Sequence, residues 1–280
     1  MKIWAHSLVR NEERYLWFAV TSVIDYVYKV LLWDTGSSDN TLNIIRELRK
    51  AFPNKIDFKQ VREVDKDKFT LMRQKMLDQT KSDWVILVDG DEVWWDDSIK
   101  KIVETIHSKG NSLETLVHGY YNVIGDIYHY QEEKAGRYTI DGHVGHLTIR
   151  AINQKIPGLH FGKPHGQQGI FDSKERLIQD RDKKKRFFID EKLYLHFTHM
   201  IRSSSLKDDL KVMKRDIKAK HELGTPFPLD FYYPEVFFKP RPDIVHLPWS
   251  KMGSRYFLRA FFETPLRKFK RRVFKGKSGY

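Results

Sequence analysis

Two segments of this chain are apolar without a break. Val30-Leu31-Leu32-Trp33 and Trp84-Val85-Ile86-Leu87-Val88 read as strands buried on both faces. Residues 2–8 and 55–61 read as two further strands. Between them the apolar positions change period. Leu16, Ala19, Val20, Val23, Ile24 and Val27 recur at helical spacing, as do Leu42, Ile45 and Leu48 on a helix that Ser38 or Asp39 would cap. A third helix is predicted over 69–80. The order βαβαβαβ predicts an α/β fold with a mainly parallel sheet and helices on both sides.

Beyond about residue 115 the pattern loosens. Short aromatic-rich segments with glycines and histidines fill 117–165 and suggest mixed strands and loops. The polar stretch at 173–186 reads as a surface loop or helix. Residues 206–223 read as an amphipathic helix, and the prolines and aromatics of 224–248 predict little regular structure. The apolar fraction, 40%, is spread along the chain, which excludes a disordered protein. Cysteine is absent, so disulfides and thiolate metal sites are excluded and a reducing cytoplasm is compatible. The first residues lack the pattern of a secretory signal, and no run of about 18 apolar residues predicts a membrane-spanning helix.

The formal net charge of +13 is unevenly placed. Residues 251–280 hold ten Lys or Arg and one acid, Glu263. An anionic partner is therefore expected at the tail. There, Tyr256-Phe257-Leu258-Arg259-Ala260-Phe261-Phe262 and the basic run after Leu266 interleave aromatics with cations. That pattern suits an interfacial segment on anionic lipid; phosphates of a nucleic acid, or solvent alone, are the alternatives.

Two clusters carry candidate chemistry. Asp89-Gly90-Asp91-Glu92 follows the strand at 84–88, at the end where open α/β sheets bind ligands. Two carboxylates flanking a glycine can face one hard cation, to which a diphosphate adds oxygens; a solvated acidic turn is the plainer reading. Asp34-Thr35-Gly36-Ser37-Ser38-Asp39-Asn40-Thr41 ends a strand in a carboxylate, turns at glycine and enters a helix. Asp34 can accept a hydrogen bond from a nucleobase N–H, or simply close the turn.

Together these segments resemble the family 2 glycosyltransferases of GT-A fold. Val9-Arg10-Asn11-Glu12-Glu13 is similar to the family's opening (K/R)NEE loop, and DTGSSDNT follows at 34–41. Phe69-Thr70-Leu71-Met72-Arg73-Gln74 is similar to its F…aRN segment, and DWVILVDGDEVW at 83–94 carries its DXD motif. Thr148-Ile149-Arg150 through Lys163-Pro164-His165-Gly166 resembles its lfR…HE segment, with Gly166 where glutamate is usual. Leu195-His196-Phe197-Thr198-His199-Met200-Ile201-Arg202 resembles the histidine segment that closes over the metal.

The resemblance implies an inverting, metal-dependent transfer of a sugar from a nucleotide diphosphate sugar, a UDP-sugar being favoured. Val9, Asn11, Glu12, Asp34, Arg73 and Asp89 would hold the nucleotide. Asp91 would be the main ligand of Mn²⁺ or Mg²⁺, with Asp89 and either His196 or His199, of which His196 is preferred; imidazole suits Mn²⁺ better. Inversion needs a general base. Asp141 is the choice, with Glu92, Asp126, Glu132 and Glu133 as rivals. On this reading residues 1–115 are the nucleotide-sugar half and 116–205 the acceptor-side, metal-completing half; 206–280 are a C-terminal extension ending in the basic tail. The acceptor would be a glycan or lipid-linked molecule of cell-envelope or surface polysaccharide synthesis, met on the cytoplasmic face of a membrane. A nucleotidyltransferase would want a glycine- and base-rich loop where acidic Asn11-Glu12-Glu13 stands. A nucleic-acid-binding role is disfavoured because the charge is concentrated in the tail and none of the common RNA or DNA motifs occurs.

Overall fold

The computed structural model describes residues 1–61, 65–164 and 167–273. Its first half alternates as the periodicity predicts: β1 (Ile3–Val9), α1 (Leu16–Thr21), β2 (Lys29–Asp34), α2 (Thr41–Ala51), β3 (Ile56–Gln60), α3 (Lys66–Gln79), β4 (Trp84–Leu87), β5 (Glu92–Trp94) and α4 (Asp96–Lys109). Strands β3, β2, β1 and β4 lie side by side and parallel.

The unbroken apolar run of β2 serves two cores. Leu31 and Trp33 join Trp4, Leu8 and the α3 residues Met72 and Met76. Val30 and Leu32 join Ile3, Ala5 and Val9 with Ile44, Ile45 and Leu48 of α2. Alternate side chains of a strand leave on opposite faces, so helices cover both sides of the sheet. The α/β fold expected from the GT-A resemblance is the one the chain adopts.

The second half adds strands of both senses. These are β6 (Thr115–Ile124), β7 (Asp126–Tyr130), β8 (Tyr138–Ile140), β9 (His143–Gly145), β10 (Leu147–Asn153), β11 (His160–Gly162), β12 (Gly169–Phe171) and β13 (Arg186–His196). β10 pairs antiparallel with β4 and with β6, extending the parallel core; β13 pairs with β6 and β5. β10 and β7 thus run against the parallel core, and β6 and β13 with it. The β8–β9 and β11–β12 hairpins stand apart from this sheet.

Three local expectations change. The α1 helix ends at Thr21, yet Val23, Ile24 and Val27 stay buried in the turns that continue it. Just past its end, Ser22 donates its hydroxyl to the Ala19 carbonyl and accepts the Trp94 N–H of β5, tying these turns to that strand. Asn40, not Ser38 or Asp39, precedes α2, and Asp39 Oδ1 accepts the Thr41 N–H at 3.0 Å. The helix read over 206–223 is two short pieces, α5 (Leu206–Leu210) and α6 (Arg215–Lys218), divided at Lys214 with φ +63°. Leu206 and Leu210 face solvent while Arg215 is buried. Ion pairing turns the polar side inward and overrides the apolar spacing.

The chain closes through β14 (Thr225–Pro226), an irregular aromatic stretch in which Phe227 stacks on Phe231 at 3.9 Å, and α7 (Ser254–Val273). No helix among the described residues is long and apolar enough to cross a membrane.

Candidate active site

The carboxyl ends of β1 and β4, the residue after β2, the middle of β10 and the end of β13 enclose a cleft of about 290 Å³. Its polar wall contains Glu12, Asp89 and Asp91 opposite Arg73, Arg150, Arg202, Arg215 and Lys218; Phe69, Ile149, Phe161, Ile170 and Met213 make an apolar side.

Asp89 lies between two guanidiniums, accepting from Arg73 Nη2 at 2.6 Å and from Arg150 Nη2 at 3.0 Å. Burial pushes its carboxyl up, but Arg150 and Arg73 outweigh this and hold it below the usual carboxylate range. Asp91 is 2% exposed and accepts from Arg202 Nη1 at 2.5 Å. Here too burial opposes ionisation, and Arg202 with His196 holds the carboxyl well below its ordinary value.

Register explains the histidine. β13 runs antiparallel to β5 with His196 opposite Glu92, and the Phe197 N–H bonds the Asp91 carbonyl at 2.9 Å. His196 Nε2 thereby comes within 3.5 Å of Asp91 Oδ2. His199 is turned elsewhere, its ring nitrogens meeting the Lys218 carbonyl and the Asn122 amide. Among the described residues no three or more His, Asp or Glu side chains converge as a metal cage. The chemistry of the pair at Asp91, one carboxylate and one imidazole, fits a divalent cation that takes its remaining oxygens from a bound diphosphate.

The base of this wall is a buried charge network. Glu12 Oε1 accepts from Arg215 Nη2 at 2.5 Å and Arg202 Nη1 at 3.1 Å. Arg215 also donates to Asp209 at 2.8 Å and to the carbonyls of Arg10 and Asn11, each at 2.7 Å. Burial pushes Glu12 up to about 8 against both guanidiniums.

The other expected residues divide. Val9, Glu12, Arg73 and Asp89 line the cleft. Asn11, in the left-handed region at φ +52°, does not; it clamps the turn, accepting the Ser38 N–H at 2.7 Å and donating to the Asp208 carbonyl at 2.7 Å. Asp34 is fully buried and accepts from the N–H groups of Gly36 and Ser37 and from the Ser37 hydroxyl, the turn-closing arrangement. The neighbouring Thr35 reaches the cleft.

Among the proposed bases, Asp141 is not part of the cleft lining. It occupies the β8–β9 turn at φ +49°, with Gly142 at φ +87°, and binds Arg186 Nη1 at 2.6 Å outside the cleft lining. Asp126 is spent on the Tyr128 and Met252 N–H groups and on His129. Glu132 holds Arg271, and Glu133 holds Lys192 and the His146 N–H. Glu92 is fully buried beneath Asp89 and paired with Arg150; burial pushes it up to about 7. Sequence reasoning assigned no role to Arg150, Arg202, Arg215 or Lys218, although Arg150 and Arg202 stand in quoted motifs. Arg215 and Lys218 gave no signal, being two of many cations in a segment patterned like a helix. His165 and Gly166 lie outside the described residues.

Solved structures resemble the chain at low identity. S. aureus TarS is 16% identical, covering 98% of this chain and 46% of its own, with a TM-score of 0.44. This chain thus spans less than half of that protein. TarS 1–349 in complex with UDP-GlcNAc is 15% identical, covering 98% of this chain and 77% of that one, TM-score 0.47. Glucosyl-3-phosphoglycerate synthase from Mycobacterium tuberculosis, in complex with Mn²⁺ and UDP-glucose, is 16% identical over 77% of this chain and 76% of that one, TM-score 0.46. No curated protein sequence matches the chain. The profile of glycosyl transferase family 2 matches residues 8–174, more than half the chain and every residue from Val9 to the arginine beside Asp89 and Glu92, so the chain belongs to that family.

Proposed function

We propose that this chain transfers a sugar, with inversion, from a nucleoside diphosphate sugar to a glycan or lipid-linked acceptor of the cell surface, with UDP as the favoured nucleotide. The observation that carries the reading is the cationic wall, Arg73, Arg150, Arg202, Arg215 and Lys218, gathered round Asp89 and Asp91 at the carboxyl end of a parallel sheet. The departing diphosphate gains negative charge as the glycosidic bond breaks, and preorganised cations stabilise that charge where it develops. Mn²⁺ or Mg²⁺, when bound at Asp91 and His196, would add Lewis-acid charge to the same oxygens. Arg202 would turn from Asp91 toward the diphosphate, retaining Glu12 as its anchor. The apolar side, with Phe69 stacked under Arg73 at 5.5 Å, would exclude water from the reacting carbon. A nucleotidyltransferase is the second enzyme class, but the loop after β1 is closed by Glu12 and does not offer it a phosphate cradle.

Calorimetry tests this reading. UDP is expected to bind more tightly with Mn²⁺ than with EDTA. Mn²⁺ alone is expected to bind weakly, because the protein offers it two side chains. Equal UDP affinity with and without metal would remove the cation from the mechanism. Absence of UDP binding under both conditions would remove UDP as the nucleotide. Asp141→Asn is expected to leave turnover close to wild type, well short of the roughly 10²–10⁴-fold loss that follows removal of a general base. A loss in that range would return Asp141 to catalysis.

A further inference from the structure

The inner face of α7 is firmly seated. Tyr256 donates its hydroxyl to the Lys220 carbonyl at 2.9 Å, and Thr264 Oγ1 accepts the Leu223 N–H at 2.8 Å. Ala260 is fully buried, and Arg271 pairs with Glu222 and Glu132. These positions recur every three or four residues and mark one side of the helix. The rest of the helix carries open apolar groups. Phe257, Leu258, Phe261, Phe262, Leu266 and Phe269 are between 51% and 70% exposed. Scattered surface leucines need no explanation, but six large apolar groups along one helix do.

At ~100° per residue, Leu258, Phe262 and Phe269 fall on one line opposite the buried Ala260. Lys268 and Arg272 border that line on one side, Arg259 and Lys270 on the other. Arg259 is paired with Glu263, whereas Lys268, Lys270 and Arg272 form no ion pair among the described residues. We infer that α7 is a membrane-docking helix that lays this ridge into the interface of an anionic lipid bilayer. The charge pattern selects this occupant. A second copy of the chain would set cation against cation across the ridge, whereas anionic headgroups meet the cations as the aromatics enter the acyl boundary. The helix is about 30 Å long at 1.5 Å per residue, and held by its inner face it lies along the surface of the protein body, not across a bilayer. Residues 274–280, the remainder of the basic tail, lie outside the described residues.

The test uses the full chain in co-sedimentation with vesicles of phosphatidylcholine alone and of phosphatidylcholine with phosphatidylglycerol. Wild type is expected to partition at least tenfold more strongly to the anionic vesicles and to lose most of that preference at high salt. The variant Leu258→Ser/Phe262→Ser/Phe269→Ser is expected to lose vesicle binding. Lys268→Glu/Lys270→Glu/Arg272→Glu is expected to lose the anionic preference. All six positions are exposed and lie outside the cleft lining, so UDP affinity measured alongside is expected to stay within a few-fold of wild type. Equal sedimentation of wild type and both variants with anionic vesicles would overturn the inference. So would a wild-type dimer in light scattering that the serine variant converts to monomer, because the ridge would then be covered by a second copy.

Discussion

Asp91→Ala is expected to abolish the gain in UDP affinity that Mn²⁺ provides and to lower turnover by about 10²–10³-fold, the usual cost of removing a preorganised electrostatic group from a dry site. Asp91 is the carboxylate nearest His196 and is held by Arg202 at 2.5 Å. Alanine removes a carboxylate that both His196 and Arg202 face. Arg202 keeps Glu12 as its remaining carboxylate. The measurement is calorimetry of UDP with Mn²⁺ and with EDTA, beside turnover read as nucleotide release. His196→Ala is expected to reduce the metal-dependent gain without removing it, and His199→Ala to leave it intact. If Mn²⁺ strengthens UDP binding as much in Asp91→Ala as in wild type, this carboxylate has no part in holding the cation.

Arg215→Met is expected to destabilise the fold by about 3–5 kcal/mol, because breaking a buried ion pair from one side strands its partners. The stranded groups are Glu12 and Asp209, together with the carbonyls of Arg10 and Asn11. Urea unfolding should show the loss as a lower midpoint with little change in slope. The deficit should also depend on pH. Glu12 already has its pKa raised by burial from 4.5 to about 8, and losing Arg215 removes one of the two charges opposing that rise. A raised carboxyl contributes stability below its unfolded value and loses it as pH rises through the folded one. The variant is therefore expected to fall further behind wild type at pH 9 than at pH 6, because the two diverge only above the wild-type value of about 8. A pH-independent deficit under 1 kcal/mol would show that α5 and α6 are held by packing alone.

What the sequence disclosed follows the range of the interactions concerned. The β2 and β4 runs, the helices between them and the acidic motif after β4 depend on neighbours within a few residues, and all were legible. The partnership of Asp91 with His196 depends on pairing between strands about a hundred residues apart, which only the family resemblance supplied. Arg215 was hidden differently: its spacing mimicked the polar face of a surface helix while its charge was needed inside. The place of Asp141 was legible at short range: Asp141-Gly142 between Ile140 and His143 is a strong hairpin signal for the β8–β9 turn that it occupies. The tail's composition was legible, but its division into a seated face and an apolar ridge required the partners at 220–223.

Gly90 adds a constraint of another kind. A methyl group at this position would stand 2.9 Å from Glu12 Cγ, closer than Cβ atoms are found to their neighbours, and a tight 3.0 Å from Val9 Cγ1. The loops after β1 and β4 are therefore gauged against each other by the absence of a side chain, with the Glu12 stem as the other jaw of the caliper. Movement of either loop toward the other is blocked, so the narrowest opening of the cleft is set by a contact distance before any charge acts. Substitutions at positions 12 and 90 should accordingly be coupled: alanine at 90 should be better tolerated beside alanine at 12 than beside glutamate, a dependence that a double-mutant cycle on UDP affinity would read directly.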